Sequence, residues 1–216
     1  MVMAKRDRII EEAEKYYTRK VLEYGEGPQA SDWNSVNAQE IRFSQISKVL
    51  PEDPNQKFSV CDYGCGTGDF ESYIGRRYHS YSYYGYDVSS EMVNKAQKLH
   101  RGLFYNESEI ASSYDYIVAS GIFNVRQNVD NAEWLEYIID TLQMFQGCAK
   151  EGFAFNCLTK YSDEDRMQDY LYYADPLYIF DYCKKNFSRN VALLHDYDIY
   201  DFTIIVRRDN TWRGKS

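Results

Sequence analysis

The sequence predicts an α/β fold: a seven-stranded, mostly parallel sheet with an antiparallel last strand, helices on both faces and an N-terminal helical cap. Short apolar runs alternate with helical patterns from residue 57 to residue 186, which is typical of a doubly wound parallel sheet. Only a few residues separate the last two runs, too few for a crossover, so these strands should pair antiparallel. Two helical patterns fill the first 50 residues.

Each element is predicted from its own pattern. Apolar residues recur at three- and four-residue spacing in six helices: 5–24, 37–50, 69–78, 89–100, 134–150 and 176–186. Ser89 has the residue type and place of a helix N-cap. The strands are runs rich in aromatic and branched residues: 57–63, 80–87, 102–106, 114–121, 152–158, 190–195 and 201–208. We expect a single domain, 1–216, with a cap at 1–50 and a core at 57–210.

Composition and charge argue against several classes of protein. Lys and Arg number 25 against 33 Asp and Glu, a net charge of −8, whereas a nucleic-acid partner needs a basic face. No apolar run reaches the roughly 20 residues of a membrane span, so we expect a cytoplasmic protein with no membrane partner. The five cysteines form no CxxC pair, so we expect no metal site. We expect a monomer or a homodimer.

A glycine-rich turn, CDYGCGTGDF, follows the first core strand. Gly64, Gly66 and Gly68 let the backbone pass close to a ligand, where a Cβ would clash. A nicotinamide-binding fingerprint would have its third glycine where Asp69 stands. Asp62 and Asp69 would repel a pyrophosphate and suit a ligand with positive charge, such as an amino group and a sulfonium.

A further acidic residue ends the second strand. Asp87 lies 19 residues after Gly68, where a carboxylate can accept hydrogen bonds from both hydroxyls of a ribose. This feature indicates a nucleoside without identifying the cofactor. Val88 and Met92 either flank an adenine or belong to the buried face of the next helix.

Three segments resemble class I S-adenosylmethionine-dependent methyltransferases, which have a Rossmann-like fold. VCDYGCGTGDF resembles their motif I, YYGYDVSSEMVNKA their acidic strand-two loop and YDYIVASGIFNV their motif IV. The resemblance covers residues 57–160 in detail, and the closing hairpin agrees with that family's sheet. It implies S-adenosylmethionine as the cofactor and methyl transfer as the reaction. SGIFNV, AFNCLT and HDYDIYDFT are similar to a small-molecule branch, which implies a small-molecule substrate.

The resemblance also implies roles for the matching positions on the methionine side of the cofactor. Asp62, Gly64 and Gly66 would contact the methionine part. Ser120 and Gly121, which end the fourth strand, would line the sulfonium.

On the nucleoside side, the resemblance implies that Asp87 binds the ribose. Glu107 or Ser108 would lie near the adenine amino group, although NESEI lacks the Gly-Asp pair that is usual there. Among the residues before the core, Arg42 either pairs with the cofactor's carboxylate or faces solvent on its helix. Trp33, in a loop marked by Gly and Pro, is a candidate substrate-binding lid or an anchor for that loop.

Candidate substrate-binding and catalytic residues lie at the carboxyl ends of strands, where open parallel sheets bind ligands. His195 ends the sixth strand and is the best placed of the three histidines for a general base, or it is a structural histidine. Asn124 follows the fourth strand, and Tyr200 precedes the seventh. Tyr172 and Tyr173 lie where a lid over the acceptor would fall. The 22 tyrosines reflect either a compositional bias or a pocket lined by phenol rings.

Several functions stay open at this point. The favoured one is methyl transfer to a hydroxyl of a sugar or similar metabolite, with an amine or carboxylate acceptor as an alternative. A protein that binds the cofactor as a sensor or scaffold, without catalysis, would carry the same turn. An NAD-dependent reductase is disfavoured by Asp69, and an aminopropyl transferase should have a more acidic amine pocket.

Overall fold

The structure is a computed structural model that describes residues 2–25 and 36–209. Trp33 lies outside the described residues, so its predicted role as a lid stays a prediction. In the described ranges, no helix combines the length and the apolar character that a membrane crossing requires.

Seven strands form one sheet. They are β1 (Phe58–Tyr63), β2 (Tyr81–Tyr86), β3 (Leu103–Tyr105), β4 (Tyr114–Ala119), β5 (Ala149–Leu158), β6 (Asn190–Leu194) and β7 (Asp201–Arg207). Their order across the sheet is β3-β2-β1-β4-β5-β7-β6. The first five strands are parallel, and β7 pairs antiparallel with both β5 and β6. The predicted fold class is confirmed, and the structure adds that β7 inserts between β5 and β6.

Six α-helices accompany the sheet: α1 (Val2–Tyr24), α2 (Val36–Ile46), α3 (Asp69–Gly75), α4 (Ser90–Leu99), α5 (Asn131–Cys148) and α6 (Pro176–Asn186). The predicted N-cap is present, because Ser89 Oγ accepts a hydrogen bond from the Met92 N–H at 3.4 Å. α5 begins three residues earlier than predicted because Asp130 caps it, accepting from the Ala132 N–H at 2.8 Å. α2 ends earlier than predicted, in a single 3₁₀ turn.

The core lies on both faces of the sheet. Successive residues of β4 show the two faces: Ile117 packs with α5 and α6, whereas Val118 packs with α2, α3 and α4. Both side chains are fully buried. Burial on both faces explains why the parallel strands have continuous apolar centres rather than an alternating pattern.

The two N-terminal helices extend over the carboxyl ends of the strands. Tyr17 and Val21 of α1 pack against Met92 of α4, and Thr18 Oγ1 lies 2.8 Å from Ser89 Oγ in a hydrogen bond. α2 packs against β5 and β7. The cap is thereby attached to α4 through α1 and to the β5–β7 part of the sheet through α2.

Candidate active site

A narrow cavity of about 100 Å³ lies at the carboxyl ends of β1, β2 and β4. Ala13, Tyr17, Gln39 and Phe43 of the cap close over it. Ten of the twelve predicted cofactor-binding residues line it: Asp62, Gly64, Gly66, Asp69, Asp87, Val88, Met92, Glu107, Ser120 and Gly121. The fold therefore brings these residues together, and their contact with a cofactor stays a prediction.

The glycine turn is fixed to the end of β2. The N–H groups of Gly64 and Cys65 both donate to the Tyr86 carbonyl, at 2.7 and 3.0 Å. Gly64 has a φ of +76°, and a Cβ there would lie only 2.1 Å from Ile122 Cγ2 in the loop after β4. Glycine is required because any side chain would push the turn away from that loop.

Asp87 connects the glycine turn to the start of α4. Its Oδ2 accepts a hydrogen bond from the Gly66 N–H at 2.9 Å, and its Oδ1 accepts one from the Ser89 N–H at 2.9 Å. Burial raises the pKa of Asp87 to about 6 despite these hydrogen bonds. The Val88 N–H is a further backbone donor to this carboxylate, which still has acceptor capacity left for a ligand hydroxyl.

Asp62 lies deeper, with 4% of its surface exposed. The Tyr83 hydroxyl donates to Asp62 Oδ2 at 2.5 Å. Burial, and to a lesser extent the charges of Asp87 and Asp69, raise the pKa of Asp62 to about 7. Asp69 Oδ2 is in turn held by Gln39 Nε2 of α2 at 3.1 Å and by Thr67 Oγ1 at 3.2 Å.

The electrostatics of the narrow cavity discriminate between ligands. Four carboxylates line it, from Asp62, Asp69, Asp87 and Glu107, and none of the described lining residues is Lys, Arg or His. Carboxylates without a basic partner repel a pyrophosphate and attract a cation. The residues present fit the ammonium, sulfonium and ribose hydroxyls of S-adenosylmethionine, and they do not fit a dinucleotide.

Asn156 of β5 fixes the loop that follows β4. Its Oδ1 accepts a hydrogen bond from the Gly121 N–H at 2.8 Å, and its Nδ2 donates to Ser120 Oγ at 3.0 Å. The side chain is fully buried. Asn156 thereby orients Ser120 and Gly121, the two residues that the family resemblance places near the sulfonium.

A wide cavity of about 530 Å³ adjoins the narrow one. Its walls come from α1, the loop after β4, the β5–α6 connection and the residue before β7. Tyr17 and Gly121 line both cavities, so these two residues mark where the two spaces meet. Of the predicted substrate-binding residues, Asn124, Tyr173 and Tyr200 line the wide cavity.

Four of the predicted site residues, Arg42, Ser108, Tyr172 and His195, do not line the cavity in which the prediction places them. Arg42 lines the wide cavity rather than the narrow one, because its Nε and Nη2 donate to Asp201 at 3.0 and 2.5 Å. Ser108 is turned so that its carbonyl accepts from the Tyr63 hydroxyl at 2.7 Å. Tyr172 packs against the core instead of the cavity.

His195 is exposed and lines neither cavity. β6 ends one residue before it, and its ring lies against Tyr161 and Phe202, with ring centroids 6.1 Å away in each case. The placement does not support a general base at the meeting point of the cavities. In the described residues, no group of His, Cys, Asp and Glu side chains is arranged to hold a metal ion.

Sequence reasoning expected the N-terminal helices to cover the cofactor, but it missed which of their residues line the narrow cavity. Tyr17, Gln39 and Phe43 line the narrow cavity, yet they look like ordinary helix residues in the sequence. The sequence does show a repeat at four-residue spacing in α1, formed by Ile9, Ala13, Tyr17 and Val21. In the structure, Ile9 and Val21 are buried, whereas Ala13 and Tyr17 line the narrow cavity.

The sheet order, the glycine turn and the acidic nucleoside cavity define a class I S-adenosylmethionine-dependent methyltransferase. A family model described as "Methyltransferase domain" matches residues 34–182. The Mycobacterium tuberculosis (strain ATCC 25618 / H37Rv) protein named "Putative methyltransferase Rv1506c" is 48% identical over 155 residues, 70% of this chain and 93% of that protein. The chain belongs to the methyltransferase-domain family. The superfamily predicted from the sequence, and S-adenosylmethionine as its cofactor, are confirmed.

Solved structures show the same fold at low identity. Magnesium protoporphyrin IX methyltransferase (ChlM) from Synechocystis PCC 6803, with bound SAM, has a TM-score of 0.65 at 16% identity and covers 93% of this chain and 97% of its own. The DhpI-SAM-HEP complex has a TM-score of 0.65 at 12% identity, with coverages of 93% and 98%. The plantazolicin methyltransferase BpumL with SAH has a TM-score of 0.61 at 14% identity, with coverages of 94% and 99%.

Proposed function

We propose that this protein transfers the methyl group of S-adenosylmethionine to a hydroxyl of a small-molecule acceptor, a sugar or a similar metabolite, bound in the wide cavity. The observation that carries the proposal is that the narrow acidic cavity meets a larger cavity of mixed polarity at Tyr17 and Gly121. The volume of about 530 Å³ lies within the ~300–1,000 Å³ of small-molecule sites. Structural neighbours named for magnesium protoporphyrin IX and plantazolicin also support a small-molecule acceptor.

On the cofactor side, S-adenosylmethionine supplies a methyl group that its sulfonium activates. Asp62 and Asp69 present negative charge to the amino acid end, and Asp87 accepts hydrogen bonds from the ribose hydroxyls. Gly64 and Gly66 let the backbone approach the ligand. The cap helices exclude water from above, which strengthens each of these interactions.

On the acceptor side, the main task of the chain is to hold the nucleophile in line with the methyl group. Phenol rings with adjacent polar groups suit a sugar-like molecule, and the wall carries Tyr170, Tyr173 and Tyr200 beside Asn124. Of the described residues that line the wide cavity, Asp165 is the only carboxylic acid. It replaces His195 as the candidate to accept the hydroxyl proton.

Calorimetric titration tests the cofactor half of the proposal. The wild-type protein should bind S-adenosylmethionine and S-adenosylhomocysteine but not NADH. Asp87→Asn should weaken binding roughly ten- to hundredfold, the usual value of hydrogen bonds to a charged group. The matched control is Asp115→Asn at the start of β4, whose carboxylate also accepts from a backbone N–H, that of Ser59 at 2.7 Å. Binding of NADH alone would overturn the proposal.

Turnover tests the catalytic half. Wild-type protein, incubated with radiolabelled S-adenosylmethionine and a panel of sugars, nucleotide sugars, amines and carboxylic acids, should label a hydroxyl compound. The label should be lost with Asp87→Asn and kept with Asp115→Asn. Tight cofactor binding without transfer to any compound would favour the sensor or scaffold alternative, and transfer to an amine or a carboxylate would correct the acceptor class.

A further inference from the structure

Tyr83 touches the cofactor site through a single hydrogen bond. Its hydroxyl donates to Asp62 Oδ2 at 2.5 Å, and both residues are 4% exposed. We propose that Tyr83 is a positioning residue for the cofactor: its hydrogen bond holds the Asp62 carboxylate in the orientation and charge state that receive the positive groups of S-adenosylmethionine. The inference rests on the proposed function and extends it to a residue outside the lining of the cavity.

The ring of Tyr83 is seated so that its hydroxyl has a fixed direction. A Cβ at Gly102 would lie 2.6 Å from Tyr83 Cδ1, so only glycine leaves room for the ring. The Phe104 ring packs against it with centroids 5.8 Å apart. In the β1–β2 register, Asp62 is paired with Gly85, which has no side chain. Tyr83 is two residues away on the same face, so its side chain is the one from β2 that reaches Asp62.

The surroundings of Asp62 otherwise favour its neutral form. Burial removes water from the carboxylate, and the neighbouring acidic groups oppose its charge. Tyr83 supplies the contact that favours the ionised form, and with it the pKa of Asp62 is still raised to about 7. The other titratable groups near Asp62 are the carboxylates of Asp69 and Asp87 and the thiol of Cys65, with the Cys61 thiol on the other face of the same strand.

Removal of the phenol hydroxyl should therefore change how cofactor binding depends on pH. Without Tyr83 as donor, Asp62 stays protonated to a higher pH, and a neutral carboxyl attracts an ammonium or sulfonium weakly. Binding at neutral pH would then require loss of a proton from Asp62. A role for Tyr83 in packing alone would lower stability without moving the pH profile.

The experiment is calorimetric titration of S-adenosylmethionine into wild-type and Tyr83→Phe protein between pH 5.5 and pH 8.5. Wild-type affinity should fall as the pH is lowered through about 7. In Tyr83→Phe the midpoint should move up by about one pH unit, with affinity about fivefold weaker at pH 7, approaching tenfold weaker at pH 5.5, and a small difference at pH 8.5. Overlapping profiles would overturn the inference.

The matched control is Tyr78→Phe. Tyr78, like Tyr83, is 4% exposed and lies on the same face of the sheet, but its hydroxyl donates to the Pro51 carbonyl at 2.8 Å, outside both cavities. Its pH profile should match that of the wild type. Asp62→Asn provides a second measurement that is valid even if Tyr83→Phe fails to fold: it should remove the part of the acid limb near pH 7 and leave the part near pH 6, where Asp87 titrates. An unchanged limb would refute the role of Asp62, whereas a wild-type protein that never binds S-adenosylmethionine would instead refute the proposed function.

Discussion

At the scale of single residues, the narrow cavity concentrates negative charge that the protein itself does not neutralise. Burial raises the pKa of Asp62 to about 7 and that of Asp87 to about 6, so in the free protein both carboxylates are partly protonated near neutral pH. Such unfavourable burial is common at functional sites, where a ligand supplies the missing partner. The free protein should accordingly be less stable than its core would allow.

Asp62→Asn should stabilise the cofactor-free protein above neutral pH. Because the folded protein holds the Asp62 proton up to about pH 7, whereas the unfolded chain loses it near its usual pKa, stability falls as the pH rises through that window. Asparagine removes this dependence, so at pH 8 the variant should melt several degrees higher than the wild type. At pH 4 the two should melt together. Calorimetric melting curves at pH 4 and pH 8 measure the difference in Tm, with Asp115→Asn as the control. Equal Tm values of Asp62→Asn and wild type at pH 8 would contradict the prediction.

At the scale of elements, a buried ion pair joins the cap to the last strand. Arg42 of α2 makes two hydrogen bonds to Asp201, which begins β7 opposite Leu158 of β5. Both partners are buried, so neither charge can be satisfied by water if the other is removed. The pair thereby fixes α2 over the edge of the sheet at which the wide cavity opens.

Arg42→Met should destabilise the protein by about 3–5 kcal/mol, because it leaves Asp201 charged and buried without a partner. The double variant Arg42→Met/Asp201→Leu should recover most of the loss, since no isolated charge remains. Urea denaturation at pH 7 measures both. Arg76→Met is the control, because Arg76 pairs with Glu40 at 2.7 Å in an exposed position, where loss should cost under about 1 kcal/mol. A double variant no more stable than Arg42→Met would contradict the explanation.

At the scale of the whole molecule, the cap and the core enclose the narrow cavity between them. The narrow cavity, at about 100 Å³, is smaller than the ~300–1,000 Å³ typical of ligand sites. α1 meets α4 and its N-cap through the packing of Tyr17 and Val21 on Met92 and the Thr18–Ser89 hydrogen bond, whereas Ile9 nearer its start belongs to the main core. We therefore predict that the part of α1 that contacts α4 moves outward to admit a nucleoside cofactor and then closes.

Hydrogen exchange should report this closure. S-adenosylhomocysteine at a hundred times its Kd should slow exchange in the 13–24 segment of α1 by up to about a hundredfold, if the open cap does not bind it. The central strands β5 and β7 should change little. Mass spectrometry of the exchanged protein measures both, with Asp87→Asn as the control that should show no slowing. Protection confined to the glycine turn would mean that the cap is already closed.

The sequence by itself determined the alternation of strands and helices, the antiparallel last strand and the acidic glycine turn with Asp87 at the next strand end. These features are local: strand and helix periods identify the elements, and the topology of parallel sheets brings the strand ends to one edge. The ten lining residues that were predicted all lie at that edge or on the helix that follows it.

Only the tertiary structure decided which side chains complete the site. Tyr17 and Gln39 reach it because α1 packs on α4 and α2 packs on β5 and β7, and Tyr83 contacts Asp62 because of the β1–β2 register. His195 lies exposed just beyond the end of β6, with its ring against Tyr161 and Phe202. The positions of these four side chains depend on contacts between residues that are distant in the chain. Neither the residue type nor the local periodicity of the sequence specifies those contacts.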